Sequence, residues 1–564
     1  MDGLPSGAKA RVAIVGMYSH RYAAIGESHG LSVIAGALRA SLGSRLEALT
    51  VVDMVAYGSE SCDPILADLA ATTPNVLAIG LQYGTYSVLR REYRKLRAVA
   101  VPEALVVFGG ALATYDGSRL LDDIDPAGIV VEGEGDETFP LLVAAWLRDR
   151  DYAGIPNCRF RDSGREHVTA RRLANLSHSP PPYRLHVGTI ASNGAQLFVE
   201  SSRACSWAAC TFCLRGLTDI AGRPREFRRF PIDRTIADIQ QLGAQGVTAF
   251  TFADEDFLGG SLDDMDAFAS ELHGRLQRLP FQCRFDISAT IHSVCRSSDT
   301  ARDSERKARV LRQLAEVGLN KVFLGVESAS PSQLRRYAKG HSPEDAAGAV
   351  ERIRELGVRV ELGFIMFDPL CQLSEVAENV RFLQHNQMEQ YVSALTNELR
   401  VQTGSRYLLL LERHESRQGR RLYRRDFDRD TLTHDCEYVH DDVREVVRLM
   451  RVWNERTRPL VYPLKSLTRY GVSGALGAAA PAVRGAIGSY RAAAAEALRL
   501  MADGLSQAGE ALIRRAHASL AESFLIAVGG TTRRVSHPVV QRAAAQARSV
   551  LDNDRVSQRG EFTT

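Results

Sequence analysis

The sequence predicts an α/β protein of several domains: a doubly wound parallel sheet, then a partial barrel of alternating strands and helices, then a helical region. Three observations predict it. The chain has 564 residues, and at roughly 150 residues per domain that is three or four domains. Short apolar runs alternate with amphipathic stretches in two successive arrays, separated by a Pro- and Ser-rich break. Beyond about residue 405 the strand pattern stops.

In the first array the apolar runs at 11–17, 49–54, 75–81, 105–108 and 128–131 read as strands. Helical patterns lie near 30–41, 86–99 and 137–148, the second with the polar face RREYRKLR. Strands apolar on both faces and separated by helices imply a parallel sheet covered on both sides. Ligands of such sheets gather at the carboxyl ends of the strands. The loops there hold Gln82, Tyr83, Gly84 and Thr85, then Gly109 and Gly110, then Glu132, Gly133 and Glu134. Glycines allow a backbone to approach a large ligand closely; singly, they are also ordinary turn residues. These nine are candidate cofactor contacts. Residues 1–150 form this domain and 151–189 a linker, with NLSHSPPPY at 175–183 its clearest stretch.

The second array, 190–405, has strand patterns at 196–201, 247–252, 282–289, 321–325, 358–365 and about 391–399. Helical patterns fall near 233–244, 262–277, 305–317, 344–356 and 373–385. Six strands alternating with helices suggest a partial or complete barrel whose site lies at the strand C-termini. Residues 406–530 are expected to form a helical domain, with helices at 443–455 and 491–523, and 531–564 a flexible tail.

Composition excludes several classes. Apolar residues make 45% and charged residues 24% of the chain, which is globular and excludes a disordered chain, a collagen or a disulfide scaffold. The net charge of +3 calls for neither nucleic acid nor a membrane as main partner. Lysine occurs only at 9, 95, 307, 321, 339 and 465, so the other 64 of the 70 basic residues are Arg, the mark of a high-GC coding bias. The Arg-dense stretch 413–429 is interleaved with acids and reads as a solvated helix face. No run reaches the roughly 18 apolar residues of a membrane helix, and the N-terminus lacks the order of a signal peptide. A cytoplasmic location with reduced thiols is expected, so the nine cysteines read as ligands or core residues.

Three of them, Cys205, Cys210 and Cys213, fall within nine residues after the first strand of the second array. Structural zinc takes four ligands, and no fourth Cys or His follows at a finger-like interval. Three thiolates suit an iron–sulfur cluster with one iron left open; zinc and a chance grouping of core cysteines are the alternatives. Trp207 and Phe212 supply an apolar wall that keeps water off the metal. Cys62, Cys158, Cys283, Cys295, Cys371 and Cys436 are scattered and read as core.

With this triplet after a first strand, residues 190–405 resemble the radical S-adenosylmethionine (radical SAM) enzymes. Their pattern is C-x3-C-x2-C, whereas this loop is C-x4-C-x2-C. The segment TFADEDF at 251–257 resembles the motif that meets the methionine amino group, which implicates Asp254. LGVESAS at 324–330 resembles the segment near methionine and ribose, which implicates Glu327 and Ser328. GFIMFDP at 363–369 resembles the segment that flanks adenine. The resemblance also makes Phe212 a cofactor contact and Cys205, Cys210 and Cys213 the ligands of a [4Fe-4S] cluster. Residues 10–150 are similar to the flavodoxin-like (Rossmann-type) cobalamin-binding domain fused before many radical SAM cores. Classical cobalamin domains carry D-x-H-x-x-G; YSHRYA at 18–23 lacks the Asp and the Gly, so cobalamin held without histidine is expected, with Gln82 or Tyr83 facing the lower side of cobalt.

The resemblance implies an enzyme using a [4Fe-4S] cluster, S-adenosyl-L-methionine and methylcobalamin. Reductive cleavage of S-adenosylmethionine would leave a 5′-deoxyadenosyl radical that takes hydrogen from an unactivated carbon, and cobalamin would deliver a methyl group to it. The expectation is a C-methyltransferase acting on a small molecule of secondary metabolism, with a flavodoxin or ferredoxin as electron donor. The alternatives are cyclisation, ring contraction or oxidation with the same cofactors, and a cofactor-binding sensor without turnover. Methylthiotransferases need three N-terminal cysteines, and only Cys62 and Cys158 precede the triplet.

Overall fold

The computed structural model describes residues 8–22, 26–192, 195–214, 226–392, 394–469, 475–529, 544–545 and 547–552. Most of the tail expected at 531–564 lies outside the described residues.

The chain begins β1 (Ala10–Gly16), α1 (His29–Leu42), β2 (Leu46–Asp53), α2 (Leu66–Thr72), β3 (Val76–Leu81), α3 (Tyr86–Ala98), β4 (Leu105–Gly110), α4 (Ala111–Asp123), β5 (Ile129–Val131), α5 (Thr138–Trp146), β6 (Cys158–Asp162) and β7 (Arg165–Val168). The sheet order is β2-β1-β3-β4-β5-β6-β7. The five expected strands are parallel. Order reverses between β1 and β3, the kind of point where the loops above a sheet part and make room for a ligand. Separate apolar cores lie on the two faces, one holding Val15, Leu77 and Phe108, the other Ile14, Ala78 and Val107.

The start of the expected linker is not linker. β6 pairs antiparallel onto β5 and β7 antiparallel onto β6, the two joined at Ser163 and Gly164, whose φ values of 48° and 77° are left-handed. A two-residue turn with both φ positive matches strand twist. CRFRD alternates buried and part-exposed residues as an antiparallel strand with one buried face requires.

The chain continues α6 (Val187–Ser192), β8 (Phe198–Val199), β9 (Ser202–Arg203), β10 (Arg228–Arg229), α7 (Ile232–Ala244), β11 (Ala249–Phe252), α8 (Leu262–Gln277), β12 (Arg284–Ala289), α9 (Ile291–Val294), α10 (Ala301–Glu316), β13 (Leu319–Glu327), α11 (Pro331–Tyr337), α12 (Pro343–Glu355), β14 (Arg359–Phe364) and α13 (Leu373–His385). Five strands form a parallel sheet in the order β14-β13-β12-β11-β8. The sixth expected strand is reduced to parallel bridges, Leu362 with Val392 and Phe367 with Glu398. The first is cut to two residues, because the chain turns at Glu200 to pair β9 with β10.

Last come α14 (Arg406–Gln418), β15 (Tyr423–Asp428), β16 (Thr433–Cys436), α15 (Asp441–Arg469), α16 (Ala475–Ala502) and α17 (Ser506–Gly529). Met450 and Trp453 of α15 and Ala494 and Leu498 of α16 share one core with the barrel strands, so these helices close its open side. The Arg-dense stretch is helix only as far as Gln418: Gly419, left-handed at φ 65°, ends α14, and β15–β16 is an antiparallel hairpin. Leu432, at its tip, is fully buried in the core of the N-terminal domain. Among the described residues no helix is long and apolar enough to cross a membrane.

Candidate active site

A cavity of about 1030 Å³ opens at the carboxyl ends of the barrel strands. Cys205, Cys210, Cys213, Trp207 and Phe212 line it on one side, Gln82 and Tyr83 of the N-terminal domain on another, and Asn454 and Tyr490 of the C-terminal helices on a third. The cysteine loop is tied on both flanks. Thr211 donates its N–H to Tyr337 O (3.0 Å) and accepts from Tyr407 N–H (2.8 Å), and Trp207 Nε1 donates to Ala338 O (2.8 Å). Phe212 packs edge-on against Tyr337. Ala204 and Ala208 are left-handed, which coils the longer C-x4-C spacing.

Burial pushes the Cys205 thiol up to about 12, with nearby Asp256 adding to it, and the Cys210 thiol up to about 11. Such thiols ionise near neutrality only against a metal. Among the described residues no group of three His, Cys, Asp or Glu is arranged to hold a single metal ion. In a [4Fe-4S] cluster three thiolates each take a separate iron and leave the fourth iron open. The three-sulfur donor set beside a buried cation therefore fits a [4Fe-4S] cluster.

That cation is Lys339, which the sequence reading missed. Its ammonium lies 3.7 Å from Glu327 Oε1, and both line the cavity. Burial opposes its charge, but Cys210, Glu327, Cys205 and Cys213 outweigh burial and hold its pKa raised. Burial raises the Glu327 carboxyl, with Lys339 opposing. Glu327 is left-handed at φ 65°, and the β13–β14 register shifts between Gly325 and Glu327, a bulge that re-aims the side chain. A Cβ at Gly325 would come within 2.9 Å of Glu327 Oε1 and 3.2 Å of Lys339 Nζ, so only glycine leaves the pair its room. Composition held a signal: in a chain that has only six lysines, two of them, Lys321 and Lys339, line this cavity.

The other predicted residues divide. Asp254 lines the cavity, yet its carboxylate accepts Ser201 N–H (2.9 Å), Ser202 Oγ–H (2.8 Å) and the Ser201 hydroxyl, which shapes the strand end. Ser328 does not reach the cavity; it is fully buried, its hydroxyl bonded to Gln333 and Asn379. None of Gly363 to Pro369 lines the cavity wall, whereas Glu361 does.

In the N-terminal domain, Gln82 also borders a second cavity of about 330 Å³, lined further by Gly109, Gly110, Gly133, Glu134 and His29. Thr85 instead secures the turn by a hydroxyl bond to Gln82 O (2.7 Å), and Gly84, at φ 87°, packs under Tyr22. Glu132 faces away, paired with Arg159 and Arg171 (both bonds 2.5 Å). A Cβ at Gly110 would meet Leu81 O at 2.4 Å, whereas one at Gly109 would stand in open space, so Gly109 is the glycine suited to close approach by a ligand. His20 is exposed and lines neither cavity; its N–H donates to Glu60.

Buried ion pairs join the two cavities. Arg184 binds both oxygens of Asp238 (2.7 Å each), Glu27 and Phe198 O. Arg203, two residues before Cys205, grips Asp136 with both nitrogens (2.9 Å each) and Glu200 (3.1 Å). Arg228 binds Glu134 (2.6 Å). His29 sits 3.6 Å from Glu27 and 3.7 Å from Glu200. Burial opposes its charge, but Glu200 and Glu27 outweigh it and its pKa is raised.

Residues 199–383 match the family model "Radical SAM superfamily". The chain is 24% identical over 355 residues, 60% of it, to 4′-phospho-dehydrooxetanocin synthase of Priestia megaterium, and spans only 47% of that protein. It is 26% identical over 362 residues, 63% of it, to an uncharacterized methyltransferase of Pyrococcus horikoshii, 70% of which is covered. In fold it is similar to the cobalamin-dependent S-adenosylmethionine radical enzyme OxsB with aqua-cobalamin bound, with a TM-score of 0.77 at 16% identity over 97% of this chain and 84% of that one.

Proposed function

The chain is a radical SAM enzyme with the fold of a cobalamin-dependent one, and from that premise we propose that it transfers a methyl group to an unactivated carbon of a small molecule. One observation carries this reading: a single cavity is bordered both by the three cysteines and by Gln82 and Tyr83 of the N-terminal domain. A substrate held there meets both cofactors at once, and positioning of that kind is worth several kcal/mol against free encounter, on the order of 7–11 for ideal alignment.

In this reading Cys205, Cys210 and Cys213 hold a [4Fe-4S] cluster, Lys339 and Glu327 hold the polar groups of S-adenosylmethionine, and Trp207 and Phe212 exclude water. Gln82 and Tyr83, with Gly109 and Gly133 of the small cavity, would hold the corrinoid. When bound, the cluster and S-adenosylmethionine supply a 5′-deoxyadenosyl radical, and the corrinoid supplies the methyl group. Asp254 keeps the strand end in place, and the α15 and α16 residues Asn454 and Tyr490 select the substrate. A flavodoxin or ferredoxin delivers the electron.

The similarity to 4′-phospho-dehydrooxetanocin synthase favours a second reading, a radical rearrangement on the same cofactors without methyl transfer. A sensor would need no substrate chamber, and a cavity of about 1030 Å³ speaks against it. The test is anaerobic reconstitution followed by iron and corrinoid analysis and product quantification with candidate substrates. Methylation yields S-adenosylhomocysteine together with 5′-deoxyadenosine; 5′-deoxyadenosine alone, with corrinoid bound, overturns methyl transfer in favour of rearrangement.

A further inference from the structure

The tip of the β15–β16 hairpin reaches across to the N-terminal domain, 343 residues away in sequence, and closes on the turn that carries Gln82 and Tyr83. Asp430 is 5% exposed. Its Oδ1 accepts Ser87 N–H (3.0 Å), its Oδ2 accepts the Ser87 hydroxyl (2.5 Å), and its carbonyl accepts Gly84 N–H (2.5 Å). A carboxylate on one free N–H of the first turn of α3, that of Ser87, acts as a helix cap, here supplied from another part of the chain. The tip is itself anchored. Leu432 is buried in the N-terminal core, Thr403 N–H donates to Leu432 O (2.9 Å), and Asp428 Oδ1 accepts Asp430 N–H (2.8 Å). Arg21 lies 3.1 Å from Asp428 and 3.9 Å from Asp430.

The two residues Asp430 grips, Gly84 and Ser87, flank Thr85, whose hydroxyl closes the turn onto Gln82. The turn that borders both cavities is thus held from below by its own Thr85 and from outside by the hairpin. We propose that Asp430 is a positioning residue: through Gly84 and Ser87 it sets where Gln82 and Tyr83 stand in the large cavity, and so the environment of the corrinoid's lower face. The proposal rests on the corrinoid reading given above. No contact of Asp430 with a cofactor is implied; it acts through the turn.

The test compares the full-length protein with Asp430→Ala, Asp430→Asn and Ser87→Ala. Without cofactor the Gly84 amide, bonded to the Asp430 carbonyl that every variant keeps, is the reference, and hydrogen exchange of the Ser87 amide reads the side-chain grip directly. Asp430→Ala is expected to exchange about tenfold faster there, with Asp430→Asn, which can still accept from Ser87 N–H, close to the parent. With hydroxocobalamin, Asp430→Ala is expected to bind about tenfold more weakly and to shift the visible absorption of the bound corrinoid, with Ser87→Ala shifting it the same way and Asp430→Asn restoring it. Should Asp430→Ala fail to fold, Ser87→Ala still removes one of the two carboxylate bonds and carries the comparison. Unchanged exchange, or faster exchange with unchanged corrinoid affinity and spectrum, overturns the positioning role while leaving the corrinoid reading intact. Failure of the parent protein to bind hydroxocobalamin overturns both.

Discussion

Arg184 offers the sharpest test of how the two sites are held together. Its side chain is 1% exposed, and its partners Glu27 and Asp238 are 3% and 0% exposed. At an effective dielectric constant of about 20, unit charges roughly 3 Å apart attract by about 5–6 kcal/mol. Most of that offsets the cost of taking the groups out of water, and removal of one partner from such a pair costs about 3–5 kcal/mol because the others stay buried and charged. Arg184→Met keeps much of the volume, so the loss is electrostatic and not a void. Glu27 retains the Phe198 N–H and His29, whereas Asp238 keeps no other hydrogen bond among the described residues. In the native protein burial pushes Glu27 up, but Arg184, His29 and the Phe198 N–H outweigh it and bring its pKa down to about 2. A lowered carboxyl stabilises the fold above its unfolded pKa of 4.5 and loses that contribution as pH falls toward 2. Without Arg184 the same carboxylate is left in a desolvated site, so the variant's deficit shrinks as pH drops from 7 to 4 and Glu27 takes up a proton. Urea unfolding read by tryptophan fluorescence checks this. The three tryptophans, Trp146, Trp207 and Trp453, fall in the N-terminal domain, the cysteine loop and α15, and replacing two of them by Phe isolates each region. The Trp146 transition should separate from the others in Arg184→Met. A loss below about 1 kcal/mol at pH 7, or a gap that stays constant between pH 7 and 4, refutes the reasoning.

Three further outcomes follow from the same geometry. Gly109→Ala should leave stability within about 0.5 kcal/mol of the parent and weaken corrinoid binding in an absorbance titration, since its methyl enters the small cavity; Gly110→Ala, forced left-handed at φ 96° against Leu81 O, should lose more than about 1 kcal/mol by thermal unfolding. The raised pKa of His29 makes its contribution complete below pH 6.5 and lost as pH climbs through the folded value, so the unfolding midpoint should decline with a slope above pH 6.5 that His29→Gln abolishes. Cys205→Ser, Cys210→Ser and Cys213→Ser should each lose iron on reconstitution, whereas Lys339→Met should keep iron but show a more negative cluster midpoint in spectroelectrochemistry, because a nearby cation favours the reduced state.

Much of the architecture was legible because it is written locally. Apolar runs on β1, β3 and β4 announce strands buried on both faces, and the order of strands and helices restricts how parallel strands can connect. The cysteine triplet needs only its own spacing to be recognised. Segments under competing demands were read less well. CRFRD at 158–162 precedes a Pro-rich stretch and passed for linker with it, though its alternation is that of a strand with one buried face. The residues after Gly419 carry so many arginines that their pattern reads as a solvated helix, whereas Tyr423 pairs with Cys436 and Phe427 with His434 in a hairpin. Among site residues, Gln82 and Tyr83 lie in the loop after β3 and Gly109 at the carboxyl end of β4 itself, where ligands of a parallel sheet gather, but Ser328 and Glu132 turn inward to Asn379 and to two arginines.

What the chain determined by itself was the set of elements, their order and the donor chemistry of Cys205, Cys210 and Cys213, since each depends on neighbours within a few turns. What only the tertiary structure decided was the company those elements keep: Lys339 beside Glu327, His29 between Glu27 and Glu200, Arg184 spanning 157 residues to Glu27, and Asp430 capping a helix 343 residues earlier. The physical reason is that burial and charge are set by whichever groups arrive from elsewhere, and a carboxylate or an ammonium carries no local pattern to say which partner will meet it.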